Sequence, residues 1–161
     1  MEYSKKISLL PKWGEVERVR RSAEKFLMSQ KLSNDKVYSV NMIISELSEN
    51  AIKYGNFKKA KDKVNVSIHI TDSEIMAEVV NPVAVTEYKH LKRLDQTIQW
   101  IRGFQDPFEA YIEKLKEVSR KSFDDEESGL GLVRIAYEGR AILDFYVGEN
   151  NILNVSAISN K

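Results

Sequence analysis

Glu46 and Asn50 stand four residues apart in the stretch Ser45-Glu-Leu-Ser-Glu-Asn-Ala-Ile-Lys-Tyr-Gly55. On a helix that spacing puts two side chains on one face, one turn apart. A carboxylate and a carboxamide so placed at a helix rim could hold a metal-bound phosphate and take a proton. The alternative is two solvated polar residues. A second stretch, Ser128-Gly-Leu-Gly-Leu132, sets Gly129 and Gly131 at the head of an apolar segment. Glycines permit a tight turn and close approach of a ligand, and the unbonded N–H groups opening a helix favour an anion such as phosphate. The pattern is not a dinucleotide fingerprint, because the third glycine is missing and no strand directly precedes it. Nor does it end in the Gly-Lys-Ser/Thr of a P-loop.

Elements of regular structure must position these residues. Val37, Val40, Ile44, Leu47, Ala51 and Tyr54 recur at steps of three and four, which predicts an amphipathic helix carrying Glu46 and Asn50. Ser33 and Asn34 are candidate caps at its start, and Gly55 stands where it should stop. An earlier helix over 13–28 is spaced by Val16, Val19, Ala23, Phe26 and Leu27, with Arg18, Arg20, Arg21 and Lys25 on its other face. That basic stripe either docks an acidic partner or is a solvated face. A short strand, Ile7 to Leu10, precedes it.

Downstream, 64–71 and 75–80 alternate as a strand hairpin that ends at Asn81-Pro82. Leu91, Leu94, Ile98 and Ile101 space one helix, ending near Gly103. Another runs from Phe108 to Val118 after an Asp106-Pro107 start. An acidic run, Asp124, Asp125, Glu126 and Glu127, then leads to the glycine turn and a helix ending at Gly139. Two closing strands, 141–147 and 152–158, flank a turn at 148–151. The order βααββαααββ predicts an α+β fold, a mainly antiparallel sheet with helices on one face.

At 161 residues the chain is expected to form one domain, 1–161, interrupted by a helical insertion at about 86–128. A net charge of +1 gives no support for nucleic-acid binding by bulk electrostatics. The absence of cysteine excludes disulfides, thiol catalysis and cysteine-ligated zinc. The two histidines, His69 and His90, are far apart in sequence and read as ordinary surface or sheet residues. No apolar run approaches the roughly 20 residues of a membrane span. The N-terminus lacks the apolar core of a secretory signal. A cytoplasmic protein is the expectation, with no membrane partner. The aromatic residues of the insertion, among them Trp100, Phe104, Phe108 and Tyr111, are either packing or a partner surface.

The order of parts resembles the GHKL ATP-binding superfamily, to which sensor histidine kinases belong. Within it the chain is similar to the small anti-sigma-factor serine kinases of bacterial partner-switching systems. Ser45 to Gly55 resembles the N-box, and Ser128 to Leu132 resembles the last glycine box, which closes the ATP lid. The resemblance implies a two-layer α/β sandwich of the Bergerat type. It implies Glu46 as general base toward a serine or threonine hydroxyl, and Asn50 as ligand of a Mg²⁺ that bridges ATP phosphates. Lys53 would reach phosphate oxygens, or else pair with Glu49. Asn81, Gly129, Leu130, Gly131 and Leu132 would complete the ATP site. The implied partner is a protein, a sigma factor or an anti-anti-sigma-like protein, and a homodimer is compatible with the resemblance.

After the second strand the family has Asp-x-Gly-x-Gly, and this chain has Asn81-Pro82-Val83-Ala84-Val85. Asn81 keeps a carbonyl acceptor for an adenine amino group but lacks the charge that strengthens such a bond. Val83 sets a branched side chain where the family leaves backbone bare. Two readings follow: a regulatory switch protein that binds Mg-ATP and phosphorylates or sequesters a partner, and a non-catalytic relative that keeps the fold as an interaction module.

Overall fold

The computed structural model describes every residue except Val85, Glu87 and 122–128, and of Tyr88 only the backbone. The acidic run at 124–127, together with Phe123, Ser128 and Val85, lies outside the described residues. The chain begins with β1 (Tyr3–Leu9), α1 (Gly14–Ser29), α2 (Asn34–Tyr54), β2 (Val64–Ile70) and β3 (Glu74–Pro82). It continues through α3 (Tyr88–Arg102), α4 (Pro107–Arg120), α5 (Leu130–Tyr137), β4 (Ala141–Gly148) and β5 (Ile152–Asn160). The expected order of elements is observed.

The five strands form one sheet in the order β1-β2-β3-β5-β4, with every neighbouring pair antiparallel. Alternation decides which face is covered. Ile7, Val66, Val79, Val155 and Phe145 stand side by side across the sheet, and the first four are buried. The helices cover this face, where period-2 strand residues meet period-3.6 helix residues. Val37, Val40, Ile44, Leu47 and Ala51 of α2 are buried in the same core as Val19, Ala23 and Leu27 of α1.

β1 starts earlier than its apolar residues indicate. Tyr3 to Lys6 are exposed, so they carry no hydrophobic alternation, yet their backbone pairs with β2 from Tyr3↔Ile70 to Leu9↔Val64. Pro82 closes β3, as expected of a residue without an N–H. Its carbonyl accepts from Asn56 N at 2.8 Å, tying the end of β3 to the segment after α2.

Ser33 caps α2 by accepting from Lys36 N at 3.2 Å. Asp106 caps α4 by accepting from Phe108 N at 2.9 Å. The basic face of α1 is partly neutralised on its own helix: Arg18 pairs with Glu15, and Arg20 and Arg21 with Glu17. Aromatics of the insertion pack among themselves and on α5. Trp100 meets Phe104 edge-on at 4.8 Å, while Phe108 and Tyr111 lie 5.1 and 5.2 Å from the Tyr137 ring. Among the described residues no helix is long and apolar enough to cross a membrane.

Candidate functional site

A cavity of about 250 Å³ opens between α2, α3, the start of α5 and the inner face of β3 and β5. Glu46, Asn50, Lys53, Asn81, Gly129, Gly131 and Leu132 all line it. Residues from three parts of the sequence are thus brought to one place. Leu130 is the exception: it is half-buried against the core and does not line the cavity. The floor is apolar, with Val79, Leu153 and Val155 from the sheet and Leu94 from α3. A flat aromatic group with a few polar anchors suits such a lining.

Glu46 is held from two sides. Its Oε1 accepts from Arg134 Nη1 of α5 at 2.7 Å. Arg134 also donates to Glu138 Oε2, from Nη2 at 3.1 Å and from Nε at 3.3 Å. The other Glu46 oxygen lies against Gly131, where a Cβ would collide with it. Two glycines of the turn therefore serve two purposes. Gly129 caps α5 with φ +68°, a left-handed conformation that favours glycine. Gly131 has no such backbone demand and makes room for the Glu46 carboxylate. The Glu46 side chain is 19% exposed. Burial pushes its carboxyl above the ordinary carboxylate range, against the downward pull of Arg134. Glu138, then Glu46, hold the Arg134 guanidinium charged.

Asn81 is 3% exposed on the inner face of β3, beside Leu153 of β5. Its Nδ2 donates to the Pro82 carbonyl at 3.0 Å, so the side-chain carbonyl is the end left to accept. Val83 is buried in the core and does not line this cavity. Its branched side chain therefore leaves the volume beside Asn81 open. It lines a smaller pocket on the far side of Tyr54 and His90 instead.

Several lining residues were not legible as such. His90, Arg93 and Thr97 of α3 face the cavity, and His90 stacks on Tyr54 with ring centroids 3.9 Å apart and planes 14° apart. Their spacing on α3 follows the Leu91-Leu94-Ile98 pattern one face over, but nothing local says that this face meets α2. Trp13, 58% exposed, stands at the mouth. Arg134 carried a signal that could have been used: it is the one charge in Leu130–Tyr137, and a charge in an apolar helix calls for a partner.

Among the described residues no group of three or more His, Cys, Asp or Glu side chains could hold a metal ion. The donors that α2 brings to the cavity are the Asn50 carboxamide and the Glu46 and Glu49 carboxylates, with Glu46 already paired to Arg134. That set suits Mg²⁺ arriving with phosphates and keeping several waters, and does not suit a resident metal. Lys53 and Arg93 supply positive charge on the same cavity. The residues present fit a Mg-nucleotide.

The family model described as a histidine kinase-like ATPase domain matches residues 10–137. No curated protein matches in sequence. Among solved structures, a chain in the crystal structure of the SiaB-SiaC complex from Pseudomonas aeruginosa has the same fold, with a TM-score of 0.72 at 18% identity. The alignment covers 96% of this chain and 88% of that one.

Proposed function

This chain belongs to the histidine kinase-like ATPase domain family, and from that premise we propose that it is a partner-switching regulator that binds Mg-ATP in the cavity beneath α2. The observation that carries the reading is convergence: Glu46, Asn50, Lys53, Asn81, Gly129 and Gly131 border one cavity with an apolar floor. Asn50 would ligate Mg²⁺, and Lys53 with the glycine-turn N–H groups would hold phosphate oxygens. Asn81 would accept from the adenine amino group, and Val79 and Leu153 would face the ring. The bound nucleotide would supply a transferable phosphoryl group. Glu46 would take the proton of a serine or threonine hydroxyl on a protein partner. That the similar fold was solved in a two-protein complex supports a protein partner here too.

A second reading, a non-catalytic interaction module, is favoured by one observation: the carboxylate expected to act as base is already bonded to Arg134. Calorimetric titration with ATP, with and without Mg²⁺, separates the two. The switch reading expects saturable Mg²⁺-dependent binding that loses its Mg²⁺ dependence in Asn50→Ala. No binding of Mg-ATP at millimolar concentration leaves the interaction module standing.

A further inference from the structure

The Glu46–Arg134 pair joins the helix bearing the expected base to the helix that opens with the glycine turn. Its two carboxylate oxygens have different surroundings. Oε1 is taken by Arg134 Nη1 at 2.7 Å, and Oε2 is turned to Gly131, on the cavity. Arg134 is itself held from behind by Glu138 through Nε and Nη2. The guanidinium is planar and forked, so bonding Glu138 on one side fixes the direction it offers Glu46 on the other. Arg134 approaches from the side of a second cavity, lined by Arg20, Met28, Tyr38, Asn41 and Glu49 among others, and Glu46 stands in the wall between the two.

We propose that Arg134 is the positioning residue of Glu46: it fixes one carboxylate oxygen so that the other faces the nucleotide-side cavity, ready to accept a proton. A base oriented by a third group is a recurrent arrangement in sites that activate a hydroxyl. The proposal rests on the reading of this cavity as a phosphoryl-transfer site. In that step an acceptor oxygen bonds the γ-phosphorus of ATP, the phosphorus–oxygen bond to ADP breaks with ADP keeping the electron pair, and Glu46 Oε2 takes the hydroxyl proton. Arg134 touches none of the reacting atoms. The other charges around Glu46 include Glu49 and Lys53 on α2, Glu138 just after α5, Arg20 and Glu24 on α1, and Arg93 on α3. Arg134 is bonded directly to the carboxylate.

The test uses the full chain, with Arg134→Ala, Arg134→Lys, Glu46→Gln and the double variant Glu46→Gln/Arg134→Ala. Each is first checked for Mg-ATP binding by thermal shift, which examines the parent reading alone. Phosphate release from Mg-ATP, with water as acceptor, is then measured. Arg134→Ala should lower kcat about tenfold or more with KM little changed, and Arg134→Lys should recover part of the loss. In the Glu46→Gln background Arg134→Ala should cost nothing further, because it acts only through Glu46. A readout without nucleotide accompanies these: the ¹³C carboxyl signal of Glu46, assigned by its loss in Glu46→Gln, should move in Arg134→Ala and return toward its original position in Arg134→Lys. Losses that multiply in the double variant, unchanged or faster turnover in Arg134→Ala, or an unmoved carboxyl signal would overturn the positioning role. Binding without any turnover in the unmodified protein overturns it as well, and leaves the nucleotide site standing.

Discussion

Gly131 and Glu46 occupy adjoining space so tightly that a Cβ on Gly131 would collide with the Glu46 carboxylate. Alanine at 131 must therefore push that carboxylate away and strain its bond to Arg134. Losing a charge-assisted hydrogen bond of this kind costs roughly 1–3 kcal/mol. Gly131→Ala should destabilise the protein by about that amount in urea unfolding. In a Glu46→Ala background the collision is gone, and alanine's better helix propensity should make the same change neutral or stabilising. Equal costs in both backgrounds would contradict the contact.

The Glu46 carboxyl gives a pH dependence of definite sign. Its folded-state pKa is raised above the ordinary 4.5, so the folded protein holds this proton more tightly than the unfolded chain does. The stability linked to it is fully present below the unfolded pKa and is lost as pH rises through the folded one. Glutamine does not titrate. The stability difference, Glu46→Gln minus the unmodified protein, should therefore rise between about pH 4 and about pH 8. Denaturant unfolding at both ends of that window measures it, and a difference that falls with pH would mean that Arg134 outweighs burial.

Asn81 tests whether the aspartate of the resembling family can be restored here. Its Nδ2 donates to the Pro82 carbonyl, and the side chain is almost fully buried. Asn81→Asp loses the donor and sets an acceptor against an acceptor. The expected cost is about 1–3 kcal/mol when the carboxylate is ionised, and less at low pH where it can donate a proton. Chemical denaturation at two pH values checks this; a variant as stable as the parent at neutral pH would show that the Pro82 contact is dispensable.

Much of the molecule was legible in the chain because its elements carry local signals. The stripe from Val37 to Ala51, the alternation from Val64 to Ile70, and the Ser33 and Asp106 caps each depend on neighbours in sequence. They survive as α2, β2 and two observed caps. The first half of β1 was missed because strand pairing there is made by backbone, with no buried side chain to mark it. At the site, Glu46, Asn50 and the glycine turn were found as pairs of nearby residues. The Glu46–Arg134 bond spans 88 residues and was not found. By the family motif, Val83 sets a branched side chain where the resembling family leaves backbone bare. In the fold Val83 lines another pocket.

Trp13 at the cavity mouth offers an intrinsic reporter. The chain has two tryptophans, and the other, Trp100, is engaged with Phe104 and the Lys114 ammonium. With Trp100→Phe, all tryptophan emission comes from Trp13. Addition of Mg-ATP should change that emission saturably, and Asn50→Ala should weaken the response. Emission that stays constant while calorimetry reports binding would place the ligand away from Trp13.

Thermal unfolding with and without Mg-ATP asks whether the cavity beneath α2 holds the nucleotide. A ligand at about 100 times its dissociation constant adds roughly 2.7 kcal/mol to the folded state. For a chain of this length that raises the midpoint by roughly 5–10 °C. Mg-ATP should raise the midpoint by that amount, and by less in Asn50→Ala; a midpoint unmoved by millimolar Mg-ATP would mean that this cavity is not a nucleotide site.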